Sequence, residues 1–284
     1  MTEFSRRAVL VSAAALAACQ RRPAAQKADP PTTLAAAVAG PWRNPADRAR
    51  DAWRHPAESL AFWGLRGGQT VVEFWPGAGW YTDIVAPFLA ATGGKLYAAH
   101  QQLTAGDAAA RAVVEAYRRR LADDPKLYGE VEITAFGPTS GPVAPAGTAD
   151  LVLFLRNLHN WMAAGIAEKA FRDAFLALKP GGVLGVEEHR ARPGETPDLL
   201  AEDGYVDQAY AIGLAQEAGF RLAATSEINA NPRDTKDHPF GVWTLPPVRR
   251  TSPRGQPPDP AFDRAKYEAV GESDRMTLKL VKPA

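Results

Sequence analysis

Short apolar runs bounded by glycine or proline alternate with longer amphipathic stretches over most of this chain. Val71–Phe74, Lys95–His100, Glu130–Ala135 and Ala149–Leu155 read as strands, while Thr82–Leu89, Ala108–Leu121 and Glu168–Leu178 read as the helices between them. Such alternation predicts an α/β domain with a mostly parallel sheet covered by helices. Ala149–Leu155 is apolar almost throughout, as a central strand buried on both faces should be. After Leu178-Lys179-Pro180-Gly181-Gly182 a fifth strand runs to His189. A helix between Gly204 and Gly219 then leads to a sixth strand from Phe220. In Arg275–Lys282, Met276, Leu278 and Leu280 alternate with Thr277, Lys279 and Val281, which fits a last, antiparallel strand.

Ahead of this core, Leu34–Val38 and Asn44–Phe62 read as helical. Asn44 is suited to cap, Pro45 suits a first turn, and Arg48, Asp51 and Arg54 are expected to face water. His55 precedes Pro56 and marks a helix boundary, with a site role as the lesser reading. Arg111, Glu115 and Arg118–Arg120 form a solvated helix face. The segment 229–274, rich in Pro, Arg and Asp, is long for a connection inside a domain and is expected to be a lid or pocket wall. Asn231–His238 within it reads as a solvated loop.

Composition changes the picture mainly at the amino end. With 284 residues, 46% hydrophobic, 23% charged and a net charge of +1, the chain is of globular type and offers no electrostatic case for nucleic acid. Small-molecule work fits better. Ser5-Arg6-Arg7 followed by the apolar run Ala8–Ala18 reads as an export signal, too short to span a bilayer. Leu16-Ala17-Ala18-Cys19 is similar to a bacterial lipobox, which implies lipidation of Cys19; the arginine pair is similar to a twin-arginine signal. The expected organisation is a signal peptide (1–19), a flexible tether (20–40) and one domain (41–284) carrying the 229–274 insertion. Gln20 after the cysteine implies retention at the periplasmic face of the outer membrane, with membrane contact only through the lipid anchor. No Cys/His run has zinc-site spacing, and no metal is expected.

The chemistry centres on Val71-Val72-Glu73-Phe74-Trp75-Pro76-Gly77-Ala78-Gly79-Trp80-Tyr81-Thr82: a strand, an acid at its end, and a glycine turn into a helix. Ligands settle at such junctions because glycine permits close approach and the helix start offers free N–H groups. The stretch resembles the first motif of class I S-adenosylmethionine-dependent methyltransferases, with Glu73, Gly77 and Gly79 matching and Trp75 standing where the first glycine is expected. Ala149–Trp161 (ADLVLFLRNLHNW), the Leu-Lys-Pro-Gly-Gly turn and Ala218-Gly219-Phe220 extend the resemblance over about 47–283. It implies a Rossmann-like, doubly wound seven-stranded sheet with S-adenosylmethionine at Glu73, Trp75, Gly77, Gly79, Tyr81, His100, Phe136 and Asn157. His100 and Gln101 stand where an acid usually holds the ribose, and Phe136 where an aspartate usually meets adenine. With its export signal, the chain looks like a group of exported predicted methyltransferases in which the Trp-Pro pair is usual.

Methyl transfer needs positioning, and a general base where the acceptor is a hydroxyl or ammonium. His159 and His189, at the ends of neighbouring strands, are the catalytic candidates; Asn160 and Trp161 are the substrate-side candidates, Trp161 being equally suited to packing. Two functions follow. One is methylation of a small molecule or envelope component by a protein loaded with cofactor before folded export. The alternative is an inactive methyltransferase-fold protein binding another ligand or partner in the periplasm.

Overall fold

The computed structural model describes residues 29–284, so the export signal, Cys19 and most of the tether lie outside the described residues. Seven strands form one sheet in the order β3-β2-β1-β4-β5-β7-β6: β1 (Thr70–Phe74), β2 (Lys95–Gln101), β3 (Val131–Phe136), β4 (Ala149–Leu155), β5 (Leu178–His189), β6 (Arg221–Ser226) and β7 (Arg275–Val281). All neighbouring pairs are parallel except β5–β7 and β6–β7, so β7 alone runs against the rest. The order reverses beside β1, and β1 and β4 leave a crevice at their carboxyl ends.

The helices are α1 (Leu34–Val38), α2 (Pro45–Arg48), α3 (Asp51–Arg54), α4 (Pro56–Trp63), α5 (Thr82–Thr92), α6 (Ala108–Asp123), α7 (Pro125–Tyr128), α8 (Leu158–Ala163), α9 (Ala167–Ala177), α10 (Gln208–Glu217) and α11 (Ala265–Val270). Strand alternation sorts the core into two layers. Val72, Phe74, Val152 and Phe154 face Trp161, Phe171 and Leu214 from α8, α9 and α10. Val71, Leu151 and Leu153 face Leu60, Trp63, Ile84 and Leu89 from α4 and α5. Trp63 lies so close to β5 that a Cβ on Gly185 would come within 2.6 Å of it, and its indole donates to the Leu278 carbonyl of β7 at 3.0 Å.

Three expectations are corrected. The ordered domain begins before residue 41, since Ala37 of α1 is fully buried and Trp42 donates to the Asp83 carbonyl at 2.8 Å. Arg54 does not face water: it is 4% exposed and its Nε donates to Glu272 at 2.9 Å. The Asn231–His238 stretch is stapled down rather than wholly solvated. Asn231 Nδ2 donates to the carbonyls of Val270 and Glu272 at 2.9 and 2.7 Å, and buried Asp234 accepts from Tyr205 Oη at 2.9 Å and the Asp274 N–H at 2.7 Å. Backbone atoms anchored in this way make a wall. Asn44 does cap α2, accepting from the Ala46 N–H at 2.9 Å, and His55 is the helix boundary, at φ 41° between α3 and α4.

Candidate functional site

The crevice at the tips of β1 and β4 holds a cavity of about 290 Å³, lined by Glu73, Trp75, Pro76, Gly77 and Tyr81 from the first turn, Arg156 and Asn157 from the end of β4, and Asp47, Arg50 and Arg54 from α2 and α3. Trp75 takes the conformation that a glycine would take, with φ 45°. A bulky residue there is strained. Surrounding bonds hold it: its N–H donates to the Ala99 carbonyl of β2 at 2.8 Å, and its own carbonyl accepts from Asn157 Nδ2 at 3.1 Å. The indole does not plug the crevice. Its Nε1 donates to the Phe136 carbonyl at the tip of β3 at 3.0 Å, and its ring meets Trp161 edge-on at 5.9 Å.

Glu73 is 2% exposed and accepts from Thr82 Oγ1 at 2.7 Å. Burial pushes its carboxyl up to about 7, against the opposing hydrogen bond from Thr82. Gly77 has φ 59°, and a Cβ placed on it would find no heavy atom within 4 Å. Gly77→Ala is therefore expected to cost only the backbone penalty of the left-handed region, about 1 kcal/mol by urea denaturation. Arg120 of α6 clamps the turn from outside, donating to the Ala78 carbonyl at 2.8 Å and Asp83 Oδ2 at 2.9 Å, so the arginine run is not wholly a solvated face.

Three expected cofactor contacts are turned elsewhere. His100 is 1% exposed; Nε2 lies 3.1 Å from the Gly77 carbonyl and Nδ1 accepts from the Gln101 N–H at 2.8 Å, so neither ring nitrogen is left for a ribose. Phe136 is fully buried among Phe74 and Trp161, with its carbonyl taken by Trp75, and offers no stacking face. Gly79 faces α6, where an added Cβ would meet Tyr117 at 3.2 Å. On the substrate side, Asn160 is exposed and off the cavity wall, while Trp161 is fully buried in the aromatic core with Phe74, Phe154 and Phe171 around it. Packing therefore accounts for Trp161.

His159 and His189 do converge, with ring centroids 5.2 Å apart. His159 Nδ1 lies 2.9 Å from Glu188 Oε1, and His189 Nδ1 lies 2.5 Å from Ser273 Oγ. Burial, then the nearby His159, Arg275 and Arg156, hold the His189 imidazole well below its usual range, hence neutral. Neither ring lines the cavity. Tyr81 does line it, and donates to Glu187 Oε2 at 2.9 Å.

An unforeseen ion network forms the cavity's other wall. Glu272 accepts from Arg50 at 2.7 Å, Arg54 at 2.9 Å and Arg275 at 2.8 Å, while Glu187 lies 3.2 Å from Arg275 Nε and 3.7 Å from Arg156 Nη1. Four guanidiniums share these two carboxylates, and Asp47 lies 3.9 Å from Arg50 Nη1. Arg156, itself at φ 57°, keeps a buried Nη1 without a hydrogen-bond partner. The only sequence signal for this network was the pair Glu187-Glu188 at the end of a buried strand, where carboxylates need partners.

The fold recurs in solved structures. A SAM-dependent methyltransferase from Aquifex aeolicus superposes with a TM-score of 0.51 at 19% identity, covering 66% of this chain and 88% of its own. The fold is that of a class I methyltransferase. SpnF, a (4+2)-cyclase, shares it at TM-score 0.56 and 17% identity, covering 88% of this chain and 92% of its own. Phosphoethanolamine N-methyltransferase 2 of Haemonchus contortus, solved with S-adenosyl-L-methionine, does so at TM-score 0.50 and 13% identity over 82% of this chain and 53% of its own. Neither a family model nor a curated protein sequence matches the chain. Since the methyltransferase fold also carries a protein named as a cyclase, chemistry has to be argued from the site.

Proposed function

We infer that the chain binds S-adenosylmethionine at the β1–β4 crevice and transfers its methyl group to a small molecule or an envelope component. The observation that carries this reading is the placing, on one cavity wall, of Arg156, whose Nη1 makes no hydrogen bond and has only Glu187 at 3.7 Å, with Glu73 across the glycine turn. A guanidinium without hydrogen-bonded partners suits the carboxylate of an amino acid, and an acid poised near neutrality suits its ammonium. The residues fit that end of the cofactor: Arg156 with Arg50 for the carboxylate, Glu73 for the ammonium, and the turn Pro76–Ala78 for the atoms beyond. At the tips of β2 and β3 the fit rests on half-buried Gln101 as the partner for sugar hydroxyls, in place of His100.

The cofactor when bound supplies an electrophilic methyl group, and the chain's task is to orient it and exclude water. The second cavity, about 510 Å³, shares Asp47 and Arg50 with the first and is walled by Pro246, Arg249 and Glu272 of the 229–274 segment; it is the proposed acceptor side. His159 and His189 line neither cavity, so no direct contact with the acceptor is proposed for them. Export, with attachment through a lipidated Cys19 to the outer membrane, completes the proposal; among the described residues no helix is long and apolar enough to cross a membrane.

Calorimetric titration of the chain with S-adenosylmethionine and S-adenosylhomocysteine tests the reading. Saturable heat at micromolar ligand, weakened at least tenfold in Arg156→Met, is the expected result. Absence of heat at millimolar ligand overturns it.

A further inference from the structure

Three ligand-bearing side chains from separate parts of the sequence meet where β4 and β5 end. His159 lies in the first turn of α8, and Glu188 and His189 close β5. Nδ1 of His159 is 2.9 Å from Oε1 of Glu188, and Nε2 of His189 is 4.0 Å from the same oxygen. One ligand atom from each of the three lies within 4.8 Å of the others. Atoms bound to one first-row cation at about 2.1 Å sit roughly 3.4 Å apart in a tetrahedral site. The two distances to Glu188 bracket that value and the whole set lies within 4.8 Å, so a closure of roughly 1.5 Å or less brings it onto one ion.

The supporting contacts favour the same arrangement. Glu188 is fully buried and held in place by the N–H groups of His159 at 3.3 Å and His189 at 2.8 Å. Ser273 Oγ holds Nδ1 of His189, which turns Nε2 toward Glu188; an outer hydrogen bond of this kind is what orients a ligating imidazole. Arg275 and Arg156, the guanidiniums whose charge bears on His189, are paired with Glu187 and Glu272. Partial exposure of His189 supplies an entry path.

We propose that His159, Glu188 and His189 form a site for one divalent transition-metal ion. Two imidazoles and one carboxylate suit zinc, cobalt or iron(II) and not magnesium or calcium, which take all-oxygen shells. Three protein ligands leave a coordination position for water or a substrate oxygen. Ligation through Nδ1 of His159 requires the neutral tautomer that carries its proton on Nε2. With the ion in place these histidines serve as ligands and not as bases. The site does not depend on S-adenosylmethionine binding, and its test uses no cofactor.

Chelator-treated protein is titrated with cobalt(II), followed by visible absorption and by metal analysis after gel filtration. The expected result is about one cobalt per chain, displaced by zinc, with affinity at least 100-fold weaker in His189→Asn and Glu188→Gln. Ser273→Ala keeps all three ligands and is expected to weaken binding about tenfold, so it serves even where a ligand substitution disturbs folding. No cobalt uptake, or uptake unchanged in Ser273→Ala and in any folded ligand variant, overturns the proposal.

Discussion

Arg275→Met is expected to destabilise the fold by about 3 to 5 kcal/mol and to lower Tm by roughly 10 °C, read by urea and thermal denaturation. The guanidinium is 1% exposed and serves Glu187, Glu272 and the Trp53 carbonyl together. Methionine fills much of the same volume but leaves two carboxylates short of a partner in a place water does not reach. Desolvation of an uncompensated charge then outweighs any gain in apolar packing. Arg249→Met is the matched control. Its ion pair with Glu268 at 2.7 Å joins side chains 48% and 40% exposed, where solvent screens the attraction, and less than about 1 kcal/mol should be lost. Equal losses in the two variants would remove the buried network from any role in stability.

The second large effect is on ligand binding at Glu73. Ionised Glu73 is the form that meets an ammonium, and with a carboxyl pushed up to about 7 it is about one-tenth ionised at pH 6 and nine-tenths at pH 8. S-adenosylhomocysteine should therefore bind about tenfold more tightly at pH 8 than at pH 6, with a proton released on binding in the lower half of that range. Glu73→Gln should flatten this profile and weaken binding more than tenfold at pH 8. Stability moves in the opposite direction. The folded state keeps its proton above the ordinary value of 4.5, where the unfolded chain loses it, so Glu73's contribution to stability falls between pH 4.5 and about 7 and is constant above. Glu73→Gln should remove that fall, leaving the variant about 2 to 3 kcal/mol more stable than the parent at pH 8. A pH-independent titration in the parent protein would show that Glu73 does not meet the ligand.

Much of the architecture was legible because it depends on local rules. Ala149–Leu155 is a strand over the range its almost wholly apolar run predicts, and Met276, Leu278 and Leu280 of β7 are fully buried as their alternation requires. The cavity also forms beside Glu73, Gly77 and Tyr81, where the strand–turn–helix pattern placed it. His100 and Phe136 were misread because position at a strand end does not say where a side chain turns. One bonds the glycine turn, and the other yields its carbonyl to an indole two strands away. Asn231–His238 was misread as solvated for a related reason: Asn231 and Asp234 bond Asp274 and Tyr205, and such pairing has no sequence period.

The sequence by itself determined the sheet, its helices and the position of the glycine turn, because hydrophobic spacing, caps and turn residues act within a few positions along the chain. Only the tertiary structure decided what surrounds the crevice: Glu272 joining Arg50 and Arg54 across more than 200 residues, Trp75 held in a glycine's conformation, and His159 beside Glu188. Those arrangements rest on charge pairing and desolvation between distant segments, and these act on distance in space.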